Sequence, residues 1–277
     1  MSRKKIIRIT TISFSLDTLL KGQLSFLNNY YEVVGIASGK KELQKVSKRE
    51  DIRVINIPMS REISLWQDLR SLILLVALFI KERPYIVHAN TPKASLLAMV
   101  AAWVTRVPYR IYTVTGLRFE TAIGNFRKLL IAMEKITCWC ATKVIPEGEG
   151  VKKALIREKI TNRPLRVILN GNINGIDTQH YDRTTHVNLL ASEIREKDKF
   201  TFCFVGRLVR DKGINELVFA FVRLYEQNVG VRLILVGPFE KELDPVLPET
   251  EWQILNHTAI SFVGFQQDIR PYLAASD

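Results

Sequence analysis

The sequence predicts an α/β protein built on parallel sheets and divided into two domains. Short runs rich in Val, Ile and Tyr alternate with longer segments of helical period, the pattern of repeated βαβ units. The alternation breaks off once, across residues 171–198, and then resumes. With 277 residues, 47% of them hydrophobic and 25% charged, the chain has an ordinary globular composition and room for a sizeable core.

Taken in order, KIIRITTI near the start reads as a strand and LLKGQLSFLNNY as a helix entered through a Gly-bearing turn. YEVVGIAS is strand-like, KKELQKVSKRE a polar helix, and IRVINIPM a third strand. Leu65–Glu82 forms a long amphipathic helix stopped by Pro84. Its apolar run Leu72–Ile80 falls well short of the about 20 residues of a membrane span. Because that run nearly encircles the helix, the segment is expected to cover the sheet rather than lie in a lipid interface. YIVHAN is a strand, PKASLLAMVAAWVTR a helix, YRIYTVT a strand, residues 124–141 a long helix, and TKVIP a strand.

RVILNGNINGID then reads as a short strand leading into an Asn/Gly-rich turn, and residues 178–198 are polar and weakly periodic. The expected organisation is therefore a first domain over 1–170, a linker over 171–198 and a second domain over 199–277. In the second domain FTFCFVGR, VRLILVGP and ISFVGF are strands, with NELVFAFVRLYEQ a helix. Three strands are fewer than the five or six of a doubly wound domain, so this second sheet is expected to be incomplete.

The net charge is +12 and unevenly placed. Up to Asn170 there are 29 Lys and Arg against 13 Asp and Glu; from Gly171 onward there are 11 against 15. The first domain is a cationic body whose natural partners are anionic: a membrane leaflet, a nucleic acid or a phosphorylated substrate. A merely solvated surface reads equally well from charge alone. No nucleic-acid-binding motif is present, and none is expected to bind. The start of the chain lacks the pattern of a signal peptide. Cys138, Cys140 and Cys203 fit a reducing cytosol, and four scattered histidines argue against a protein metal site.

The informative stretch is FCFVGRLVRDKGINELV, residues 202–218. A buried strand ends at Gly206; Arg207, Arg210 and Lys212 follow, and after Gly213 a helix begins. Ligands of open α/β sheets bind beyond the carboxyl ends of strands, and helix N-termini attract anions. Arg207 can fork onto a phosphate and Lys212 supplies a compact charge. The stretch is neither a P-loop nor a GxGxxG turn. An exposed loop with scattered cations is the plain alternative.

The same stretch resembles the signature of the retaining GT-B glycosyltransferases of the large GT4 family. IVHANTPKASLLAMVAA with RIYTVTGLRFE resembles that family's first domain, in the branch that assembles bacterial capsule and O-antigen polysaccharides. LNGNINGID resembles its interdomain segment, and LILVGPFE and ISFVGFQQDI resemble the next two donor-side strand ends. The matches run collinearly along nearly the whole chain. The resemblance implies a GT-B fold of two Rossmann-like, doubly wound parallel-sheet domains, the second incomplete here. It also implies transfer of a sugar from a nucleotide sugar, of UDP type, to a lipid-linked or oligosaccharide acceptor. No cofactor and no metal are implied. The location implied is the cytoplasm, with peripheral association at the inner face of the membrane. A nucleotide-sugar epimerase on the same fold, or a non-catalytic remnant binding nucleotides or a partner, are the rival readings.

By that resemblance Arg207 and Lys212 hold the departing diphosphate. Gly22, Gly206, Gly237, Gly264 and Phe265 are the donor-side positions, although Gly22 reads equally as a helix-start turn and Phe265 as a core or rim aromatic. His88, Lys93, Thr115 and Glu120 are the acceptor-side positions. His88 also fits a structural strand-end residue and Glu120 a helix cap. Thr115 stands where many relatives carry His, so that role is lost or filled elsewhere. The acids with which the family binds the donor sugar correspond to positions beyond Asp277.

Overall fold

The computed structural model describes residues 3–61, 63–242 and 244–277. The chain divides into two units, residues 1–175 and 176–277. In the first, β1 (Lys5–Ile12) leads to α1 (Ser13–Leu19), α2 (Gln23–Asn28), β2 (Glu32–Ser38), α3 (Lys40–Glu50) and β3 (Arg53–Asn56). Then come α4 (Leu65–Glu82), β4 (Ile86–Ala89), α5 (Pro92–Val104), β5 (Tyr109–Val114), α6 (Gly124–Cys140), β6 (Lys143–Pro146) and α7 (Glu149–Arg157). The six strands form one parallel sheet in the order β3-β2-β1-β4-β5-β6. The order reverses direction between β1 and β4, which makes the carboxyl ends of those two strands the topological switch point where such sheets bind ligands.

Alternation along the strands separates two cores. Ile7 and Ile9 of β1, Val87 and Ala89 of β4, and Tyr112 and Val114 of β5 pack under α4, α5 and α6. Ile6, Val33 and Ala37 face the opposite way, against Leu16, Leu24 and Leu43 of the first three helices. α5 is apolar on all sides because it lies between α4, α6 and the sheet. The expected helix entered through the Gly-bearing turn is α2, with Gly22 at its N-terminus, and a further short helix, α1, precedes that turn directly after β1. The strand expected in RVILN does not form. Leu169 adopts a left-handed φ of 51° and is exposed, and the turn is held instead by Asn172 N–H donating to the Glu147 carbonyl at 2.9 Å.

The second unit begins earlier than its first strand. α8 (Thr185–Ile194) forms inside the stretch expected to be linker. The Thr184 side chain caps it by accepting from the Val187 N–H, and Val187, Ala191 and Ile194 make an i, i+4, i+7 stripe. That short stripe is too weak a signal to read in sequence; it folds because Ala274 and Ala275 cover it. β7 (Phe200–Val205), α9 (Ile214–Gln227), β8 (Val231–Val236), α10 (Pro248–Asn256), β9 (Ile260–Gly264) and α11 (Arg270–Ala275) follow. β7, β8 and β9 are parallel neighbours in that order, and among the described residues this sheet has only three strands, an incomplete doubly wound domain.

One buried pair in the first unit has a consequence for stability. The Tyr112 hydroxyl donates to Glu134 at 2.6 Å within the core, and burial pushes the Glu134 carboxyl up to about 7 from its ordinary 4.5. An acid whose folded pKa is raised stabilises the fold fully below its unfolded pKa and loses that contribution as pH rises through the folded value. The denaturation midpoint is therefore expected to fall between about pH 5 and about pH 8, with a ceiling of about 3 kcal/mol from this group. Glu134→Gln should flatten that slope in urea titrations across pH; an unchanged slope in the variant would refute the assignment.

Candidate active site

The carboxyl ends of β7, β8 and β9 finish side by side at Gly206, Gly237 and Gly264. The Gly206 N–H donates to the Val236 carbonyl at 2.9 Å, and the Gly237 N–H to the Gly264 carbonyl at 2.8 Å. Gly237 has a φ of 140°, and a Cβ built on it would stand 1.8 Å from the Gly206 carbonyl oxygen, so no side chain fits there. The structure thus brings together three of the five expected donor-side residues on one sheet edge. Phe265, next after Gly264, is 61% exposed. It is a rim aromatic, not a core one.

Beyond Gly206 the chain makes a single turn of 3₁₀ helix at Arg210–Lys212 and enters α9 through Gly213. No side chain caps the N-terminus of α9, so its first N–H groups and the positive end of its dipole remain for an anion. Lys212 is exposed on that turn, and among the described residues no carboxylate pairs with it. Arg207 differs: its Nη1 is bound to Glu240, which follows β8 in the Gly237–Glu240 loop. Arg210 lies 3.4 Å from Asp244, whose carboxylate also accepts from the Asp211 N–H at 2.7 Å. The loop is held in shape by acids from the neighbouring strand end, and a bound diphosphate would compete with Glu240 for Arg207.

The expected first-unit residues are less uniform. Gly22 sits at the N-terminus of α2 with φ 75°, one helix removed from the end of β1. Its N–H donates to both oxygens of buried Glu50, at 2.9 and 3.1 Å, and the Ser25 N–H joins at 3.1 Å. Glu50 thus occupies the anion position of that helix end, and these amide bonds and Arg49 hold its pKa down against burial. Lys93 on α5 is buried and bound to Asp68 of α4 at 2.7 Å, tying the two helices together. Glu120 pairs with Arg157 of α7 at 3.2 Å.

His88 and Thr115 lie toward the carboxyl ends of β4 and β5, near the switch point. His88 Nε2 lies 2.8 Å from Thr113 Oγ1, and Thr115 Oγ1 donates to the Asn90 carbonyl at 3.0 Å. Burial and the nearby Arg8 cation hold the His88 pKa well below 6.5, so the ring is neutral at physiological pH. Arg8 itself is the residue that sequence reasoning missed. It lies in mid-strand opposite His88, is buried, and donates from Nη2 to Asn90 Oδ1 at 2.9 Å. Its Nε and the Asn90 Nδ2 have no partner among the described residues, and burial lowers its pKa to about 9. The available signal was a single cation inside KIIRITTI, a strand otherwise destined for burial on both faces. Among the described residues no group of three His, Cys, Asp or Glu is placed to hold a metal.

Two parallel-sheet units of Rossmann type, the second with glycine-tipped strands and a cation-bearing loop before a helix, define the GT-B class of glycosyltransferase fold. Residues 29–171 match the glycosyl transferase 4-like domain and residues 199–277 the glycosyl transferases group 1 domain, so the chain belongs to the glycosyl transferase 4-like family. A capsular polysaccharide biosynthesis glycosyltransferase, CapM, of Staphylococcus aureus is 37% identical over 87% of this chain and 63% of that protein. The Escherichia coli UDP-Gal:alpha-D-GlcNAc-diphosphoundecaprenol alpha-1,3-galactosyltransferase is 29% identical over 82% of this chain and 59% of its own length. The chain thus spans less than two thirds of these curated relatives. Among solved structures, Anabaena Alr3699/HepE in complex with UDP-glucose superposes with a TM-score of 0.74 at 20% identity, over 99% of this chain and 72% of that one.

Proposed function

We propose that the protein transfers a sugar from a UDP-type nucleotide sugar to a lipid-linked or oligosaccharide acceptor in the assembly of a bacterial surface polysaccharide, with retention of anomeric configuration. The observation that carries this reading is the placement of Lys212 and Arg207 at the glycine-tipped edge of the second sheet, ahead of the uncapped N-terminus of α9. As the glycosidic bond breaks, negative charge grows on the departing diphosphate. Fixed cations and amide dipoles aimed at that position lower the barrier. Gly206, Gly237 and Gly264 allow the nucleotide to approach the backbone, and exposed Phe265 offers a face to the base. On the first unit the neutral His88 and the Arg8–Asn90 pair serve as the acceptor-side polar groups. The work takes place at the inner face of the membrane. The relatives named above, one of them acting on a diphosphoundecaprenol acceptor, support the donor and acceptor classes.

The test is donor consumption with and without acceptor. With UDP-sugars and a polyprenyl-diphosphate-linked sugar, release of UDP is expected only when both are present. Conversion of the donor's sugar without acceptor would establish an epimerase, and absence of any heat on titration with UDP would establish a remnant; either result overturns the reading.

A further inference from the structure

The sheet of the first unit carries helices of opposite character on its two faces. α3 exposes Lys and Glu side chains, as a solvated helix does. α4 and α6, on the other face, do not. α4 turns Ser71, Leu75 and Phe79 inward, while Leu65, Leu69, Ile73 and Ile80 form a stripe on its opposite side, with Trp66 beside it. α4 covers the sheet as expected, but with one face only; the other stands in water. α6 repeats the arrangement with Phe126, Leu129, Ile136 and Trp139. The greatest exposure is at the ends of these segments nearest the carboxyl edge of the sheet, 84% at Trp66 and 85% at Ile123.

Among the described residues, the exposed charges carried by α4 and α6 themselves have one sign. Arg70 and Lys81 on α4, and Lys128 and Lys135 on α6, are exposed. The acids of the same helices are turned away: Asp68 to Lys93, Glu82 to Lys5 and Arg53, and Glu134 to the Tyr112 hydroxyl. An apolar stripe bearing Trp and interspersed with cations is the composition of a surface that lies in a lipid interface. No helix among the described residues is long and apolar enough to cross a membrane.

We propose that the outer face of α4 and α6 docks on an anionic phospholipid leaflet, with Leu65–Trp66 and Ile123–Phe126 entering the headgroup region. The proposal rests on the transferase reading for its purpose: docking by this face sets the carboxyl edge of the first sheet beside a lipid-linked acceptor. Charge complementarity selects the occupant, because a second copy of this face would bring like charges together.

Co-sedimentation of the 277-residue chain with vesicles tests it. The chain is expected to bind vesicles containing about 30% phosphatidylglycerol at least ~10-fold more strongly than pure phosphatidylcholine, and raising salt from about 0.05 to about 0.5 M should weaken but not abolish binding. The pairs Leu65→Glu/Trp66→Glu and Ile123→Glu/Phe126→Glu should each lower partitioning at least ~10-fold, whereas Lys41→Glu/Lys45→Glu on α3 should change it less than ~2-fold. Brominated acyl chains should quench tryptophan emission in the parent, and the Leu65→Glu/Trp66→Glu variant should lose quenching. Equal binding by parent and rim variants, no binding to anionic vesicles, or a dimer dissolved by the Trp66 variant without vesicle binding would overturn the proposal. UDP titration of the same samples separates the two readings, since lost vesicle binding with UDP binding intact removes the docking face alone.

Discussion

Alanine at both Arg207 and Lys212 is expected to weaken UDP binding by at least ~10²-fold and to slow sugar transfer by ~10³-fold or more, because in the proposed reaction both cations would stand where leaving-group charge develops. The two are not equivalent. Lys212 stands exposed on its 3₁₀ turn, whereas Arg207 is held by Glu240. Part of the attraction of Arg207 for a diphosphate is therefore used up in displacing a carboxylate. Lys212→Ala alone should consequently lose more UDP affinity than Arg207→Ala alone, and the double variant should depart from the sum of the two, since the groups share one ligand. Neither side chain is part of the core, so thermal unfolding should be almost unchanged. Isothermal titration with UDP and a transfer assay read both quantities. Unaltered affinity and turnover in the double variant would remove the basis of the functional proposal.

Gly237→Ala is expected to be the most damaging single-atom-scale change in the second unit. The new methyl would meet the Gly206 carbonyl oxygen at 1.8 Å, and neither backbone can yield without breaking the paired strand ends. The φ of 140° adds strain for any residue with a Cβ. A loss of about 3–5 kcal/mol is expected, near the upper end for point substitutions. UDP binding should disappear with it, because Gly206 is the residue directly before Arg207. Gly264→Ala is the control. Gly264 also has a left-handed φ, 67°, but nothing lies within 4 Å of its missing Cβ, so the cost should be about 1 kcal/mol. Similar urea midpoints for the two variants would show that the close approach of the strand ends does not matter.

Much of the fold is legible in the sequence because strand and helix periods are local. KIIRITTI is an eight-residue strand in the structure as in the reading, and the remaining strands of both sheets fall where Val, Ile and Phe cluster. The site is legible only in part. That a cation loop stands between a strand and a helix follows from residues 202–218; that Arg207 is engaged does not, because Glu240 is 33 residues away. Gly22 reads from sequence as a donor-side position or a helix-start turn; that its N–H is engaged by Glu50, 28 residues on, no local pattern tells. Lys93, at a helix start, is an acceptor-side position by the resemblance; that it is bound to Asp68, 25 residues back, is set by the packing of α4 on α5. Helix α8 was hidden because its stripe is short and its cover arrives from α11, far along the chain.

The sequence by itself determined the alternating elements, the division into a cationic and a mildly acidic half, and the glycine-ended strands, since each depends on neighbours within a few positions. Tertiary structure alone decided which charges are neutralised, that Arg8 is buried beside Asn90, and that α4 shows one apolar face to the sheet and another to its surroundings. Burial and ion pairing are properties of surfaces brought together from distant segments, and no local pattern encodes which surfaces those are.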